Sequence, residues 1–159
     1  EAGIMGRLIY DLGNAYQVSE YVPGNSSVFY YLMRHRHDRP LDPVLKADAL
    51  HATIERIDAV MATLDNAAMK RPDADLIKGE LRMTADLMRF ACRLGIARIE
   101  TNAGDIASLP QERRLALAAE LDALLPEFRQ LWLARNRSGG LKESTGHFEN
   151  LVIRLKELF

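Results

Sequence analysis

Apolar residues recur at helical spacing along most of the chain, and this periodicity constrains the fold more than any other feature. Between residues 42 and 68 they step by four, three, four, three and four positions, which places them on one helix face: Leu50, Ile54, Ile57, Met61, Leu64 and Ala68. Asp42 and Pro43 are predicted to begin this helix, as N-cap and first helical residue. Arg71 before Pro72 is predicted to end it, because a residue before proline disfavours the helical conformation.

The segment from residue 73 to about 101 carries two apolar stripes side by side. They are Ile77, Leu81, Thr84, Met88, Ala91 and Met83, Leu87, Phe90, Leu94, Ala97. Two adjacent stripes make a wide apolar face, so this helix is predicted to lie at the centre of a bundle. The turn-rich residues 101–105 are predicted to follow its end.

A third long stripe follows, and it contains a proline. Ser108 and Gln111 have the spacing of a capping box before it. Because the stripe keeps its phase across Pro126, we predict a bend in the helix rather than a division into two domains. Gly139 and Gly140 are predicted to end the segment in the left-handed conformation of a helix C-terminus. The stripe consists of Leu117, Leu121, Leu124, Phe128 and Leu131.

Shorter helices are predicted at both ends of the chain. Leu8, Leu12 and Ala15 give the first its apolar face, residues 26 to about 36 form the second, and a last helix carries Phe148, Leu151, Leu155 and Leu158. The only β-like run, residues 28–32, has no partner strand. The sequence therefore predicts an all-α fold, an up-down helical bundle of about five or six helices that forms a single domain over residues 1–159.

Composition excludes several classes of protein. The 21 Lys and Arg balance 22 Asp and Glu to a net charge of -1, so the chain has no overall basic field that would bind nucleic acid or an anionic membrane. No apolar run approaches the roughly 20 residues of a membrane span, so we expect a soluble protein. The single Cys92 excludes an internal disulfide framework and a multi-thiolate zinc site.

The histidines do not have the spacing of a metal site. His35 and His37 are two residues apart, whereas helical metal ligands are three or four apart, so residues 34–39 are predicted to form a solvated basic hairpin. His51 is predicted to lie on a helix surface. His147 is predicted to help cap the last helix, near whose start it lies.

No catalytic, cofactor-binding or metal-binding residue is predicted. Glu143 and His147 form one i, i+4 pair, but di-iron bundles need such pairs on two helices. Cys92 lies in the most apolar helix and is predicted to be buried and inert, although Arg89 and Arg93 would lower its pKa if it were exposed. Nucleophile elbows, phosphate-binding loops and dinucleotide motifs are absent from the sequence. The remaining carboxylates among the stripes are predicted to be solvated flanks: Asp58, Asp65, Asp86 and Asp122.

One segment is more specific. Residues 131–144 read LWLARNRSGGLKES, which resembles a motif near the C-terminal end of bacterial family 20 glycoside hydrolases of the β-N-acetylhexosaminidase type, with Ser138 in place of proline. Residues 11–16, DLGNAY, are similar to the start of the helical domain that follows the catalytic barrel in that family. The two segments bracket residues 8 to 158. The resemblance implies a C-terminal α-helical accessory domain.

The resemblance also implies what the parent enzyme would do. Family 20 enzymes remove terminal N-acetylhexosamine by substrate-assisted retaining hydrolysis, with an adjacent Asp–Glu pair at the end of a barrel strand. This sequence contains no adjacent Asp–Glu or Glu–Asp pair, so no catalytic residue carries over. The sequence begins at Glu1 with a pattern that is already helical, and we therefore expect a domain of a longer chain whose partner is its own catalytic domain.

Six residues are candidates for contact with that catalytic domain. Arg135 and Arg137 lie beside a helix C-terminus, where the macrodipole favours cations, and Trp132 offers a large amphipathic anchor. The adjacent Tyr30 and Tyr31 cannot both face one core, so one of them is predicted to mark an interdomain surface. The full set is Trp132, Arg135, Asn136, Arg137, Tyr30 and Tyr31.

Other interpretations of the same residues stay open. The segment around Trp132 can be a purely structural corner, with its arginines as local caps and ion pairs. The chain can be a free-standing helical bundle that serves as an adaptor or oligomerisation module, or, less favoured, a bundle that binds a small ligand or metal. The sequence leaves the oligomeric state open, and the bacterial cytoplasm is the slightly favoured compartment.

Overall fold

The computed structural model describes residues 2–34, 37–101 and 104–157. Within these ranges the chain forms six α-helices and contains no β-strand, which confirms the all-α prediction. The helices are α1 (Ala2–Gly13), α2 (Val28–Arg34), α3 (Ala47–Met61), α4 (Ala74–Glu100), α5 (Gln111–Arg135) and α6 (Leu141–Lys156), with short 3-10 turns at Ala15–Ser19, Leu64–Asn66 and Ser138–Gly140. None of the helices in the described ranges is long and apolar enough to cross a membrane.

Helix α4 lies at the centre of the bundle, where it packs against α2, α3 and α5. Its two predicted stripes serve two separate cores. Met88 and Ala91 belong to the core shared with α1, α2 and α3, whereas Phe90 and Leu94 belong to the core shared with α5 and α6. The wide apolar face of this helix therefore holds two halves of the molecule together.

Gly95 lets α2 and α3 approach α4 closely. A Cβ atom at this position would lie 2.8 Å from Leu32 Cδ2 and 2.8 Å from Leu50 Cδ1, which is shorter than van der Waals contact. Leu32 and Leu50 are completely buried. The absence of a side chain at residue 95 thus sets the spacing of three helices.

The predicted bounds of α3 are wrong at both ends. Asp42 closes a turn instead of capping the helix: its Oδ1 accepts a hydrogen bond of 3.0 Å from the N–H of Val44. The helix begins at Ala47, after an extended Lys46, and ends at Met61, well before Pro72. An Asp side chain that bonds the backbone two residues later competes with helix formation, and this explains the delayed start.

The predicted capping box before α5 is also wrong, but the helix itself is confirmed. Ser108 donates its backbone N–H to Asp105 Oδ1 at 2.7 Å, and the residue before the helix is Pro110, which makes no side-chain cap. The helix then continues without interruption across Pro126, as the phase of the stripe predicts.

A buried arginine joins the end of α4 to two loops. Arg98 is completely buried and donates to the carbonyl oxygens of Gly104 at 2.9 Å and Arg39 at 2.8 Å. Burial lowers the pKa of Arg98 to about 10, so the guanidinium is still charged at neutral pH. Gly104 has a left-handed φ of 71°, and a Cβ there would lie 2.7 Å from Pro40 Cα, so both conformation and space require glycine.

The predicted solvated hairpin at residues 34–39 is wrong at His37. This residue is only 8% exposed, and its carbonyl oxygen accepts a hydrogen bond of 3.0 Å from the N–H of Ile106. The two loops that Arg98 holds therefore also bond each other and cover His37. The predictions that concern residues 35 and 36, 102 and 103, and 158 lie outside the described residues.

Candidate docking surface

The segment from residue 131 to 144 forms the corner between α5 and α6. The Trp132 ring lies against Gly140: a Cβ on that glycine would be 3.2 Å from Cζ2 and 3.3 Å from Cη2. Gly140 has a φ of -101°, and the glycines with positive φ in the described residues are Gly24 and Gly104. The predicted left-handed cap at Gly139 and Gly140 is therefore wrong, and a side chain at residue 140 would press on the Trp132 ring.

Asn136 terminates α5. Its backbone N–H donates to the carbonyl oxygen of Trp132 at 3.0 Å, and its side-chain Nδ2 donates to the same oxygen at 2.9 Å. The residue itself is extended, with a φ of -123°. The amide side chain thus adds a second donor to the Trp132 carbonyl, at the residue where the chain leaves α5 toward α6.

Arg135 binds α4 of the same chain. Its guanidinium donates from Nε to Glu80 Oε1 at 2.8 Å and from Nη2 to Glu80 Oε2 at 3.1 Å, and it lies 3.3 Å from Asp73 Oδ2. The hydrogen bonds to Glu80 raise the pKa of Arg135 further. The pKa of Asp73 is lowered, first by the hydrogen bond from Arg71. Arg135 therefore ties the end of α5 to the start of α4, and Arg137 beyond it is exposed.

A shallow cleft of about 210 Å³ opens between α4 and α5 beside this corner. Half-buried Trp132 and Leu131 form one wall, and the α4 side chains Thr84 and Leu87 form the other. The Arg135–Glu80 pair stands at its edge. The remaining lining residues are Met83, Phe128 and Asn136.

The two adjacent tyrosines lie in different surroundings, as helical geometry predicts. Tyr30 is 52% exposed, and the Arg34 guanidinium lies 5.4 Å from its ring centroid. Tyr31 is half-buried, with its ring 5.1 Å from that of Tyr21 and its hydroxyl oxygen 3.1 Å from the Asp42 N–H that donates to it. Of the two, Tyr30 is the residue that an outside partner could touch.

A larger cavity of about 510 Å³ lies between α1, α2 and α4, and Tyr30 is part of its wall. Thr84 and Leu87 line both this cavity and the cleft beside Trp132, so the two depressions adjoin on α4. We call the two adjoining depressions together the α4 groove. Its larger part is lined by Ile9, Leu12, Gly13, Tyr16, Ser27, Phe29, Tyr30, Met33, Leu81, Thr84, Leu87 and Met88.

The α4 groove was not predicted as one site. Thr84 and Leu87 were assigned to stripes that face a core, but Thr84 is exposed and Leu87 is half-buried. The sequence signal that could have indicated the exposure of Thr84 was its hydroxyl among apolar residues. In the structure, that hydroxyl donates to the Glu80 carbonyl oxygen of the same helix at 2.8 Å. Tyr30 and Trp132 were named separately, and packing on α4 brings them to the same surface.

The groove has the chemistry of a contact surface. Its lining is mainly apolar, and the carboxylate at its edge, Glu80, already binds Arg135. Cys92 lies elsewhere, completely buried, and burial raises the pKa of its thiol to about 12 against a smaller opposing effect of Arg93. In the part of the chain that the structure describes, no three His, Cys, Asp or Glu residues are grouped to hold a metal ion.

The other titratable candidates lie at the surface. His51 is exposed, as predicted, but His147 is in the second turn of α6 and cannot cap a helix that begins at Leu141. The predicted flanking carboxylates each bind a cation of a neighbouring residue, at 2.7 to 2.9 Å: Asp58 and Asp86 bind Arg89, Asp65 binds Arg82, and Asp122 binds Lys156.

In comparisons with known proteins, no family model matches the chain, and no curated protein or solved structure matches it at the required significance.

Proposed function

We propose that this chain is a non-catalytic C-terminal helical accessory domain of a β-N-acetylhexosaminidase-like glycoside hydrolase, which packs on the catalytic barrel of the same polypeptide through the α4 groove. One observation carries the docking part of this proposal. Trp132, from the segment that resembles the family motif, and Tyr30 line two mainly apolar depressions that adjoin at Thr84 and Leu87.

The groove has the composition of an interface between domains. Exposed Ile9 and Tyr30, each 52% exposed, border its apolar centre, and the Arg135–Glu80 ion pair stands at its edge. An apolar centre with a polar rim is typical of protein interfaces. Full burial of a side chain the size of Ile contributes about 1.5–3 kcal/mol, so covering these side chains would stabilise the association with the catalytic domain.

The corner at residues 131–144 supports the resemblance physically. Trp132 packs against Gly140, Arg135 binds Glu80 of α4, and Asn136 adds a side-chain hydrogen bond at the end of α5. The residue types of the segment thus act together in one structural unit. Residues of a true motif are expected to depend on one another in this way, whereas residues that match a motif by chance need not contact one another.

The proposal is tested on the gene and then on the protein. We expect the reading frame upstream of Glu1 to encode a barrel with an adjacent Asp–Glu pair. That upstream region and the present chain, produced separately, should associate, and the upstream region alone should hydrolyse a chromogenic N-acetylglucosaminide. A reading frame without such a barrel, or hydrolysis by the present chain that a point substitution abolishes, would contradict the proposal.

A matched pair of substitutions tests the groove. Ile9 and Ile153 are exposed to 52% and 50%, but only Ile9 lines the groove. We expect Ile9→Asp to weaken the association at least tenfold, by roughly the 1.4 kcal/mol that a factor of ten requires, and Ile153→Asp to leave it unchanged. Equal effects of the two would place the interface elsewhere. If the isolated chain instead forms dimers that Ile9→Asp dissociates, the oligomerisation module is the better interpretation.

A further inference from the structure

A separate depression of about 180 Å³ lies between the end of α2 and the second half of α6. Its rim carries Arg34 from α2 and His147, Asn150 and Arg154 from α6. Buried His37 and Leu151 and half-buried Met33 complete the wall. We call this depression the basic cleft. The sequence indicated neither its position nor its membership, because the α2 and α6 residues are more than a hundred positions apart.

Among the residues that the structure describes, two arginines and no carboxylate line the basic cleft. Many arginines elsewhere bind an acidic side chain, as Arg89 binds Asp58 at 2.7 Å and Arg129 binds Glu149 at 2.8 Å. Arg34 and Arg154, in contrast, form no ion pair with any residue that the structure describes. The acidic residue of α6 nearest in sequence to the lining residues is Glu149, which binds Arg129 at 2.8 Å and does not line the cleft.

Helix stability explains only part of this arrangement. Arg34 lies in the last turn of α2 and Arg154 in the last turn of α6, where the macrodipole of each helix favours a cation. That effect does not bring the ends of two helices to the same depression, whose wall both arginines line. Bringing like charges together is unfavourable, and a bound anion would offset that repulsion.

The donors of the cleft match one class of ligand. Guanidinium groups present several N–H donors in a planar fork that suits phosphate and carboxylate oxygens, and an amide and an imidazole add further donors. The volume lies below the roughly 300 Å³ at which pockets for drug-sized molecules begin, so the occupant is small. We infer that the basic cleft binds a small oxyanion, namely a phosphate, sulfate or carboxylate group.

The inference is tested by titrating the 159-residue chain with inorganic phosphate and, separately, with acetate, while NMR records the backbone amides. Sodium chloride at matched ionic strength is the reference for general screening. We expect saturable shifts at residues 34, 147, 150 and 154, and the oxyanion that binds more tightly identifies the class of ligand. Shifts that chloride reproduces, or no saturable shift with either oxyanion, would overturn the inference.

A pair of variants locates the site. Arg154→Gln removes one lining cation, and Arg137→Gln removes an exposed cation that does not line the cleft. Arg154→Gln removes a charged hydrogen-bond donor, so we expect it to weaken oxyanion binding roughly tenfold. Arg137→Gln should leave oxyanion binding unchanged. Circular dichroism should show both variants folded, because both side chains are exposed. An equal loss of oxyanion affinity in the two variants would mean that only the net charge of the protein matters, and this result would overturn the inference.

Discussion

The ring of Trp132 occupies the space where Gly140 would otherwise carry a side chain. A Cβ on that glycine would lie 3.2 Å from Cζ2, closer than side chains normally approach. The backbone of Gly140 has a φ of -101°, which any residue adopts. Space, rather than backbone conformation, therefore disfavours a side chain at this corner, because the indole would have to shift by a few tenths of an ångström.

This contact predicts opposite effects for two neighbouring substitutions. Gly139 has no atom within 4 Å of its would-be Cβ and lacks a positive φ. Gly139→Ala should stabilise the fold by about 0.5 kcal/mol, because alanine restricts the unfolded chain. Gly140→Ala should destabilise it by about 1 kcal/mol, because the indole must move. Urea unfolding measures both, and a gain at residue 140 would show that the corner yields easily.

A second pair of glycines tests the centre of the bundle. Gly95→Ala places a methyl group 2.8 Å from Leu32 and Leu50, and we expect a loss of about 1–2 kcal/mol despite the better helix propensity of alanine. Gly6 lies in α1 with nothing within 4 Å, so Gly6→Ala should instead stabilise by about 0.5–1 kcal/mol. Thermal or urea unfolding separates the two. A stabilising Gly95→Ala would mean that α2 and α3 can move away from α4.

Arg98 should matter more for stability than its place at a helix end suggests. Arg98→Met keeps much of the apolar stem but leaves the carbonyls of Gly104 and Arg39 without this donor, so we expect a loss of about 2–4 kcal/mol. Arg113→Met, at an exposed position of α5, is the control and should change stability by less than about 0.5 kcal/mol. If both variants unfold at the same urea concentration, Arg98 does not hold the loops.

Cys92 should resist thiol reagents in the folded protein. Burial raises the pKa of its thiol to about 12 from an ordinary value of 9.0, so at pH 8 we expect labelling only after unfolding in urea. Ser138→Cys in a Cys92→Ala background supplies an exposed thiol that should react at once. Rapid labelling of the native wild-type chain would contradict the buried position.

The same shift predicts a dependence of stability on pH. The folded state keeps the thiol protonated, whereas the unfolded chain releases the proton above pH 9, so the contribution is complete below pH 9 and declines as pH rises toward 12. Relative to Cys92→Ala, the wild-type chain should lose about 1–2 kcal/mol between pH 8 and 10.5. Parallel stability curves for the two proteins would show that the thiol does not titrate differently on unfolding.

The helices were predictable, but several of their ends were not. The stripes of α4 and α5 identified both helices because burial against neighbours on one face requires a period of 3.6 residues. The start of α3 was missed because Asp42 bonds Val44 in a turn, and the start of α5 because Asp105, not Ser108, bonds the local backbone. Each of these alternatives has the same residue types as a helix cap, and only the backbone conformation separates them.

The sequence likewise predicted some features of the candidate site and missed others. The sequence drew attention to Trp132 and to one of the adjacent tyrosines, from a motif and from helical geometry. It could not show that Thr84 and Leu87 join their surroundings into the α4 groove, nor that Arg34 and Arg154 meet in the basic cleft. Those relationships depend on which helix packs on which, and that choice rests on contacts distant in sequence.

By itself, the sequence determined that this chain is helical, that α4 has a wide apolar face and a central position, and that Cys92 is buried, because a local apolar pattern is sufficient for each. The tertiary structure decided why Gly95 and Gly140 are glycines, what Arg98 holds and which surface residues adjoin. Close approach and charge pairing are properties of distances between separate helices, and periodicity within one helix contains no information about those distances.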